Sequence, residues 1–420
     1  MTRRARVLFV SYGGGHISMV LPVIREVERS YPEVECLLLA LTTGHLKALT
    51  VRPGETRRTF GYRDFLHLVD AQAAVDCGER LSAGNISPDV PLDETVAYMG
   101  INYLDLIAQH GQDGAEYLYR ERGRYGFLPL HFMRRLLDEL APDVVVATNS
   151  PRSERAALEG ATAQGIPCVG MVDLFGQDGD TYVTRTIKPD WTCVIAESVR
   201  QRLVARGFAP DRVVVTGSPA FDGLFTTENQ GLARAFLERL QWAGLTPILW
   251  AGHVEPGASV DFAAHGEYGF ALDVESTLRG FVASRRELAL IVRYHPSQWH
   301  GFPRLATQER VYFSLPSQEP IHPLILAAGV VVVQNSTVGL ESAVAGRRVV
   351  SLEHAPSVRE SFSLAAMGVS TPCRATMELP EIVDRVLAAP RSSLGQYESD
   401  GRAAVRVADL IAGVLSAQAR

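Results

Sequence analysis

The sequence predicts an α/β protein made of two doubly wound domains. The chain has 420 residues, more than the roughly 250 to 300 residues at which a single hydrophobic core stops growing. Short, continuously apolar runs alternate with amphipathic stretches along most of its length, which is typical of parallel strands buried on both faces. Several runs end in glycine, histidine or hydroxyl residues, and open parallel sheets bind ligands beyond the carboxyl ends of their strands.

The composition excludes several classes of protein. A hydrophobic content of 46% with 21% charged residues is typical of a folded globular protein. The formal net charge of -6 provides no basic surface for nucleic-acid phosphates, so no nucleic-acid partner is expected. The five cysteines form no CxxC pair, which argues against a disulfide framework and favours a reducing compartment. No apolar run approaches the roughly 18 residues of a membrane span, and a cytoplasmic protein without a transmembrane segment is expected.

The first domain is predicted to cover residues 1–225. A glycine-rich turn at residues 11–16 is expected to join its first strand to its first helix. Residues 50–130 lose the strand–helix rhythm and are interpreted as an insertion that could serve a second substrate, with one helix at 93–110. The other predicted elements are strands at 7–10, 37–41, 144–147, 168–172 and 213–216 and helices at 17–30, 128–140, 152–164 and 198–206.

The second domain is predicted to cover residues 226–400. The alternation of helices and strands resumes there with a helix predicted at 232–242. The predicted strands are 247–250, 288–292, 330–333 and 348–352. A last helix within residues 401–420 is expected to pack back onto the first domain.

The first candidate site follows the first strand. Gly13, Gly14 and Gly15 let a backbone approach an anion, and His16 follows them near a helix N-terminus. The pattern is neither GxGxxG nor a P-loop, which disfavours dinucleotide dehydrogenases and NTPases. A tight turn with a capping histidine is the alternative explanation.

Carboxylates follow the strand predicted at 168–172. A carboxylate or histidine at a strand end that binds a ligand can act as a general base and remove a proton from a substrate hydroxyl. Asp173, Asp178 and His16 are therefore the catalytic candidates, although loop aspartates are commonly only solvated. Gly217 and Ser218 end the last strand of the first domain, as a structural hinge or as part of a binding cleft.

The second domain carries a candidate nucleotide site. Ser336 or Thr337 suits a helix N-cap, and Glu341 one turn later could accept hydrogen bonds from both ribose hydroxyls. His253 and His295 also follow predicted strands. Each is interpreted either as an ordinary loop residue or as a group that contacts phosphate. The predicted binding residues of this domain are Asn335, Ser336, Thr337, Glu341, His253 and His295.

These motifs, taken in order, resemble the GT-B superfamily over most of the chain. The segment from Asn335 to Gly346 is similar to a motif of bacterial capsular-polysaccharide glycosyltransferases. The segment from Gly13 to His16 is similar to the glycine-rich loop of lipid-intermediate glycosyltransferases. The resemblance implies two Rossmann-like domains that face a central cleft, with a nucleotide-sugar donor on the second and a small-molecule, glycan or lipid-linked acceptor on the first. It also implies chemistry without a metal or another cofactor. A homodimer is left open.

A second enzyme class shares part of this pattern. UDP-N-acetylglucosamine 2-epimerases have the GT-B fold and a Gly-His motif like Gly252 and His253. They usually carry Gly-Thr-Arg where this chain has its three glycines, and paired glutamates where it has only Glu341. These departures favour glycosyl transfer over epimerisation, and a sensor that binds nucleotide-sugars without catalysis is a third option.

Overall fold

The apolar runs of the sequence form two parallel sheets in the computed structural model. The structure describes residues 3–51, 58–83, 90–173, 181–255, 268–296, 298–334, 336–360, 363–390 and 399–418. The chain divides into two units, which are described separately. Unit 1 comprises Met1–Asp222 and Arg402–Arg420, and unit 2 comprises Gly223–Gly401.

Unit 1 contains a seven-stranded parallel sheet with the order β3-β2-β1-β4-β5-β6-β7. Its strands are β1 (Arg6–Tyr12), β2 (Glu35–Leu41), β3 (Thr59–Phe60), β4 (Val144–Thr148), β5 (Cys168–Met171), β6 (Trp191–Val194) and β7 (Val213–Val215). Phe9 in β1 pairs with Leu38 of β2 on one side and with Val146 of β4 on the other. All three are fully or almost fully buried, which explains why the middle of each of these strands is continuously apolar.

Helices connect the strands of unit 1. They are α1 (Gly13–Ser30), α2 (Thr43–Val51), α3 (Ala71–Ser82), α4 (Leu92–Arg122), α5 (Leu130–Leu140), α6 (Ser153–Ala163) and α7 (Glu197–Ala205). The three glycines predicted as a turn instead form the first turn of α1. The region predicted as an insertion is mainly helical and also provides β3 to the sheet.

Helices α3 and α4 pack closely at two glycines. A Cβ atom on Gly100 would lie 1.8 Å from the carbonyl oxygen of Ala74, and one on Gly78 would lie 2.1 Å from that of Val96. Real Cβ atoms do not approach backbone this closely, so any larger residue would force the helices apart. Helix α4 also bends at Gly111, whose φ is +71°, and continues to Arg122, beyond the predicted end at residue 110.

Unit 2 contains a six-stranded parallel sheet with the order β10-β9-β8-β11-β12-β13. Its strands are β8 (Thr246–Gly252), β9 (Leu288–Tyr294), β10 (Val311–Phe313), β11 (Val330–Val333), β12 (Arg348–Leu352) and β13 (Thr371–Cys373). Its helices are α8 (Thr227–Arg239), α9 (Tyr268–Ser284), α10 (Ile321–Ala327), α11 (Thr337–Val344), α12 (Pro356–Glu360) and α13 (Leu379–Ala388). The sequence pattern predicted four of these six strands and missed the three-residue strands β10 and β13.

The last helix, α14 (Ala403–Gln418), belongs to unit 1. Val407, Ile411 and Val414 pack with α1 in the hydrophobic core of that unit. The carboxylate of Asp222 accepts hydrogen bonds from the backbone N–H groups of Ala403 (3.1 Å) and Ala404 (2.7 Å). Asp222 therefore caps a helix that begins about 180 residues further along the chain.

Candidate functional site

Each sheet reverses its strand order at one place, and such switch points are where open α/β sheets bind ligands. In unit 1 the reversal lies between β1 and β4, and in unit 2 between β8 and β11. The edge of unit 1 carries Tyr12 to His16 and Asn149 to Glu154. The edge of unit 2 carries Gly252, His253, Gln334, Ser336 and Thr337. We call these the unit 1 edge and the unit 2 edge.

The glycines of the unit 1 edge leave open space at the start of α1. Gly13 has a φ of +63°, a left-handed conformation that favours glycine. Neither Gly13 nor Gly15 has an atom within 4 Å of the position that a Cβ would occupy. The N-cap residue Tyr12 makes no capping hydrogen bond with its side chain, so the first N–H groups of the helix have no side-chain cap.

His16 and Asp173 form a pair at the unit 1 edge. The Nε2 atom of His16 lies 3.7 Å from Oδ2 of Asp173, and the side chains are 24% and 21% exposed, so a solute can reach both. The N–H of Asp173 donates to Oδ1 of Asn149 at 3.3 Å, which ties the end of β5 to that of β4. Two catalytic candidates are thus brought together, while Asp178 lies outside the described residues.

Arg152 packs against aromatic rings beside this pair. Its guanidinium carbon lies 4.2 Å from the ring centroid of Tyr12 and 5.8 Å from that of Tyr125. The rings of Tyr12 and Tyr98 are 6.2 Å apart, so an aromatic wall from α4 and the following 3-10 segment borders the edge. Burial lowers the pKa of Arg152, but the nearby phenol and carboxyl groups together raise that pKa by more, and the side chain stays cationic.

Glu154 is a buried carboxyl group at the same edge. Its Oε1 accepts a hydrogen bond from Oγ1 of Thr148 at 3.4 Å. Burial raises its pKa, and the nearby imidazole of His16 opposes that rise when it is protonated. A raised pKa favours the protonated form, which lowers the cost of keeping the group in the protein interior.

The unit 1 edge concentrates buried polar atoms that lack a hydrogen-bond partner. Such atoms are rare in folded proteins, because an unpaired buried polar group costs about 1 to 3 kcal/mol. Within the described parts of unit 1, those at or beside this edge are Ser11 Oγ, His16 Nδ1, Tyr98 OH, Ser150 Oγ, Arg152 Nε, Glu154 Oε2 and Asp173 Oδ1. Their clustering is the pattern expected where a ligand supplies the missing partners.

Sequence reasoning missed Tyr98, Ser150, Arg152 and Glu154. The last three follow β4 directly, so the strand-end rule that selected Asp173 could have found them. Arg152 is the N-cap of α6 and Glu154 lies in its first turn, where polar residues are ordinary. Tyr98 comes from α4, and no local pattern connects it to this edge.

Gly217 and Ser218 lie at the end of β7, against the C-terminal helix. A Cβ on Gly217 would lie 3.3 Å from Cβ of Ala403 and 3.4 Å from Nη2 of Arg406. Arg406 donates from Nε to the carbonyl of Thr216 at 2.8 Å, and Ser218 is buried. These contacts account for Gly217 as a packing position, and the part of both residues in ligand binding stays a prediction.

His253 is held in place at the unit 2 edge by a buried network. Its N–H donates to Oε1 of Gln334 at 2.8 Å, and the amide of Gln334 donates to the buried carboxylate of Glu255. Ser357 donates to the same carboxylate from its N–H at 2.8 Å and from its hydroxyl at 3.0 Å. Among the described residues, Nε2 of His253 is buried and has no partner.

His295 follows β9, next to β8. Its N–H donates to the carbonyl of Gly252 at 3.0 Å. Partial desolvation, and then the nearby ring of His253, lowers the pKa of His295, although the residue as a whole remains exposed. The two predicted histidines are therefore close enough to influence each other, at neighbouring strand ends.

Helix α11 begins at the unit 2 edge as predicted. Ser336 is its N-cap and accepts a hydrogen bond from the N–H of Val338 at 3.2 Å, and Thr337 is its first residue. Oε2 of Glu341 lies 3.3 Å from Nε2 of His322, and the glutamate side chain is 15% exposed. Asn335 lies outside the described residues.

Neither edge offers a cluster of metal ligands within the described ranges, where no group of three or more His, Cys, Asp or Glu side chains could hold a metal ion. In the same ranges, no helix has the length and apolar character needed to cross a membrane.

Comparisons with known proteins identify the fold. Neither the family models nor the curated proteins compared with the chain gave a match. The structure is similar to a UDP-GlcNAc 2-epimerase from Neisseria meningitidis bound to UDP-GlcNAc, with a TM-score of 0.61 and 14% identity over 97% of this chain and 100% of that one. It is similar to the epimerase from Methanocaldococcus jannaschii, with a TM-score of 0.60 and 11% identity over 97% and 99% of the two chains.

The wall teichoic acid polymerase TagF has a similar fold as well. Its TM-score is 0.59 at 10% identity, over 100% of this chain and 91% of that chain. At such low identities these likenesses establish the fold alone. The chain is a two-unit α/β protein of the GT-B type, as the resemblance implied.

Proposed function

We propose that this protein is a glycosyltransferase that moves a sugar from a nucleotide-sugar donor to an acceptor hydroxyl. The acceptor is assigned to unit 1 and the donor to unit 2. The observation that carries the proposal is the pair of His16 and Asp173, at 3.7 Å on the carboxyl edge of the unit 1 sheet. An accessible imidazole beside a carboxylate is the arrangement that general-base catalysis uses.

In the proposed reaction His16 removes the proton of the acceptor hydroxyl. The acceptor oxygen then forms a bond to the anomeric carbon, and the bond from that carbon to the donor phosphate breaks, with the nucleotide leaving as an anion. Asp173 holds the imidazole and stabilises the imidazolium that forms. Glu154 is buried near the same ring.

The donor is assigned to unit 2 because helix α11 offers groups suited to a nucleotide. Its N-terminal N–H groups can bind phosphate oxygens and favour negative charge. Glu341 lies one turn further along and could accept hydrogen bonds from ribose hydroxyls in place of its contact with His322. Nδ1 of His253 donates to the carbonyl of Val254 at 3.0 Å, so its unpartnered Nε2 could accept a hydrogen bond from a hydroxyl group of the donor. Helix termini and imidazoles stabilise a leaving phosphate by electrostatics, and the proposed chemistry draws on no metal.

Epimerisation is the second candidate function. It is favoured by the similarity of the fold to UDP-GlcNAc 2-epimerases and by Gly252 and His253, which match a Gly-His motif of those enzymes. The two functions differ in what happens without an acceptor. An epimerase converts its nucleotide-sugar to the C2 epimer without an acceptor, whereas a transferase leaves the nucleotide-sugar intact or hydrolyses it slowly.

The test is a thermal-shift panel of UDP-, GDP-, dTDP-, CDP- and CMP-sugars, followed by NMR and mass spectrometry of the best binder. A ligand at about 100 times its Kd adds about 2.7 kcal/mol to the stability, which gives a measurable shift. We expect a bound sugar that stays intact until an acceptor is added. Rapid appearance of a C2 epimer, or of free epimerised sugar with released nucleotide, would establish the second candidate and overturn the first.

A further inference from the structure

Two arginines at or beside the unit 1 edge have no carboxylate partner among the described residues. Arg152 and Arg124 form no ion pair within the described part of the chain, whereas Arg6 and Arg155 of the same unit each pair with a glutamate. Burial raises the pKa of the Tyr98 phenol, and the positive charges of both guanidinium groups oppose that rise. Arg124 lies in the 3-10 segment Gly123–Gly126, beside Tyr125, whose ring borders Arg152.

Stacking fixes the guanidinium of Arg152 in place. It lies 4.2 Å from the ring centroid of Tyr12, with Tyr125 at 5.8 Å. Its Nε is buried and has no hydrogen-bond partner among the described residues. A stacked guanidinium has lost much of its side-chain freedom before a ligand arrives, and it presents N–H groups in a planar fork that matches the oxygens of a phosphate.

Buried hydroxyl groups complete this surface. Ser150 is 6% exposed, Tyr98 is 3% exposed and Ser11 is fully buried. Each hydroxyl lacks a partner in the parts of the chain that the structure describes, and each can donate to an oxygen atom. The nearby carboxylate of Asp173 contacts His16, and within the described residues no Asp or Glu side chain lies within ion-pair distance of either arginine.

We propose that Arg152, supported by Arg124, binds a phosphate group of the acceptor at the unit 1 edge. Two cations and several hydroxyl donors suit a group with up to two charges and three terminal oxygens better than a neutral sugar. That the ligand is the acceptor rests on the proposed function, whereas phosphate binding at Arg152 does not. The phosphate belongs either to a lipid-linked acceptor or to a soluble phosphate ester.

The first experiment measures the Kd of inorganic phosphate by calorimetry on the full chain at constant ionic strength. Variants Arg152→Gln and Arg124→Gln are compared with Arg122→Gln, which removes the same charge from an exposed position in α4. We expect Arg152→Gln to weaken binding by roughly 10- to 100-fold and Arg124→Gln by a smaller factor, with Arg122→Gln unchanged. Equal affinities in all three variants would overturn the proposal.

Two further measurements keep the result interpretable. Arg152→Lys keeps the charge but loses the planar fork, so we expect intermediate affinity, and it replaces Arg152→Gln if that variant does not fold. Sedimentation with phosphatidylcholine vesicles, with and without phosphatidic acid, distinguishes the phosphate sources. Arg152-dependent sedimentation on acidic vesicles indicates a lipid phosphate, and Arg152-dependent binding of inorganic phosphate alone indicates a soluble ester. Phosphate binding without any glycosyl transfer would contradict the proposed function and leave this inference standing.

Discussion

The two edges have the same strand topology but differ in how their polar groups are satisfied. At the unit 2 edge, Gln334 and Glu255 have partners for their side chains and Ser336 caps its helix, while Nε2 of His253 lacks a partner among the described residues. At the unit 1 edge, seven buried polar atoms of the described residues lack partners, from Ser11 to Asp173 along the chain. Most polar groups named at the unit 2 edge thus have hydrogen-bond partners within the protein, whereas many at the unit 1 edge do not.

This difference indicates different ways of binding. Buried unpaired groups cost free energy, so the unit 1 edge gains stability from any ligand that pairs them. A preformed edge such as that of unit 2 gains affinity mainly by needing little rearrangement. We therefore expect substitutions at the unit 1 edge to change turnover and acceptor use, and substitutions at the unit 2 edge to change donor affinity.

The largest effect is expected for His16→Gln. Without the proposed base, the rate of transfer should fall by roughly 10²- to 10⁴-fold, while the Kd of the donor should stay within about a factor of two. Steady-state kinetics and donor calorimetry measure the two quantities. The matched control is His67→Gln, because His67 also contacts a carboxylate, Glu139 at 2.7 Å, in an exposed pair. Equal rates for the two variants would remove His16 from the mechanism.

The second test concerns the pH dependence of stability that a buried acid on α4, Glu94, introduces. Burial raises the pKa of Glu94 to about 7. Its carboxyl group accepts from the N–H of Tyr62 at 2.8 Å, and the Tyr62 hydroxyl bonds Oγ of Ser153 at 2.8 Å. Glu94 is thus connected to the residue that follows Arg152.

Proton binding by Glu94 differs between the folded and unfolded chain. The folded protein holds this proton between about pH 4.5 and 7, where the unfolded chain has lost it. The free energy of unfolding should therefore fall as the pH rises from about 4.5 to about 7, by roughly 3 kcal/mol in total. Hydrogen exchange of α4 across this range should show the loss in the wild type and in Glu79→Gln, an exposed control, but not in Glu94→Gln. Parallel pH profiles for all three proteins would contradict the assignment.

Sequence alone predicted the sheets better than the site. Strands such as 330–333 are apolar throughout, so burial on both faces marks them, whereas β6, β10 and β13 are short and mixed with polar residues or partly exposed. The sequence selects both His16 and Asp173 because each follows a predicted strand. The strand order that makes them neighbours is a tertiary property.

The missed residues show the limit of local patterns. Arg152 and Glu154 resemble an ordinary helix start. They are distinguished only by the stacking of Arg152 on Tyr12 and by the electrostatic interaction of Glu154 with His16. Tyr98 lies about 50 residues from Arg152 in the chain and reaches it through the packing of α4. Such contacts depend on how helices dock, which periodicity does not specify.

The unit 2 edge is tested by Glu341→Ala. Loss of a charged acceptor for the ribose hydroxyls should weaken donor binding by about tenfold, with little change in the rate at saturating donor. Calorimetry with the best donor of the panel measures the affinity, and Glu381→Ala, on the exposed surface of α13, is the control. A lower saturated rate at unchanged affinity would place Glu341 in the chemistry rather than in donor binding, and would reverse the division of labour between the two edges.

The smallest expected effect concerns the helix caps of the two units. Asp222 caps α14 from a distant part of the chain, whereas Thr226 caps α8 locally through the N–H of Asn229 at 3.2 Å. Either cap should contribute about 1 kcal/mol. Asp222→Ala should raise the hydrogen-exchange rate of the first α14 amides about fivefold, since 1 kcal/mol corresponds to roughly that factor, and Thr226→Ala should act only on α8. Because α14 packs on α1, exchange that also rises at the start of α1 would show that the cap supports the glycines and His16, and exchange confined to α14 would show that the unit 1 edge is independent of it.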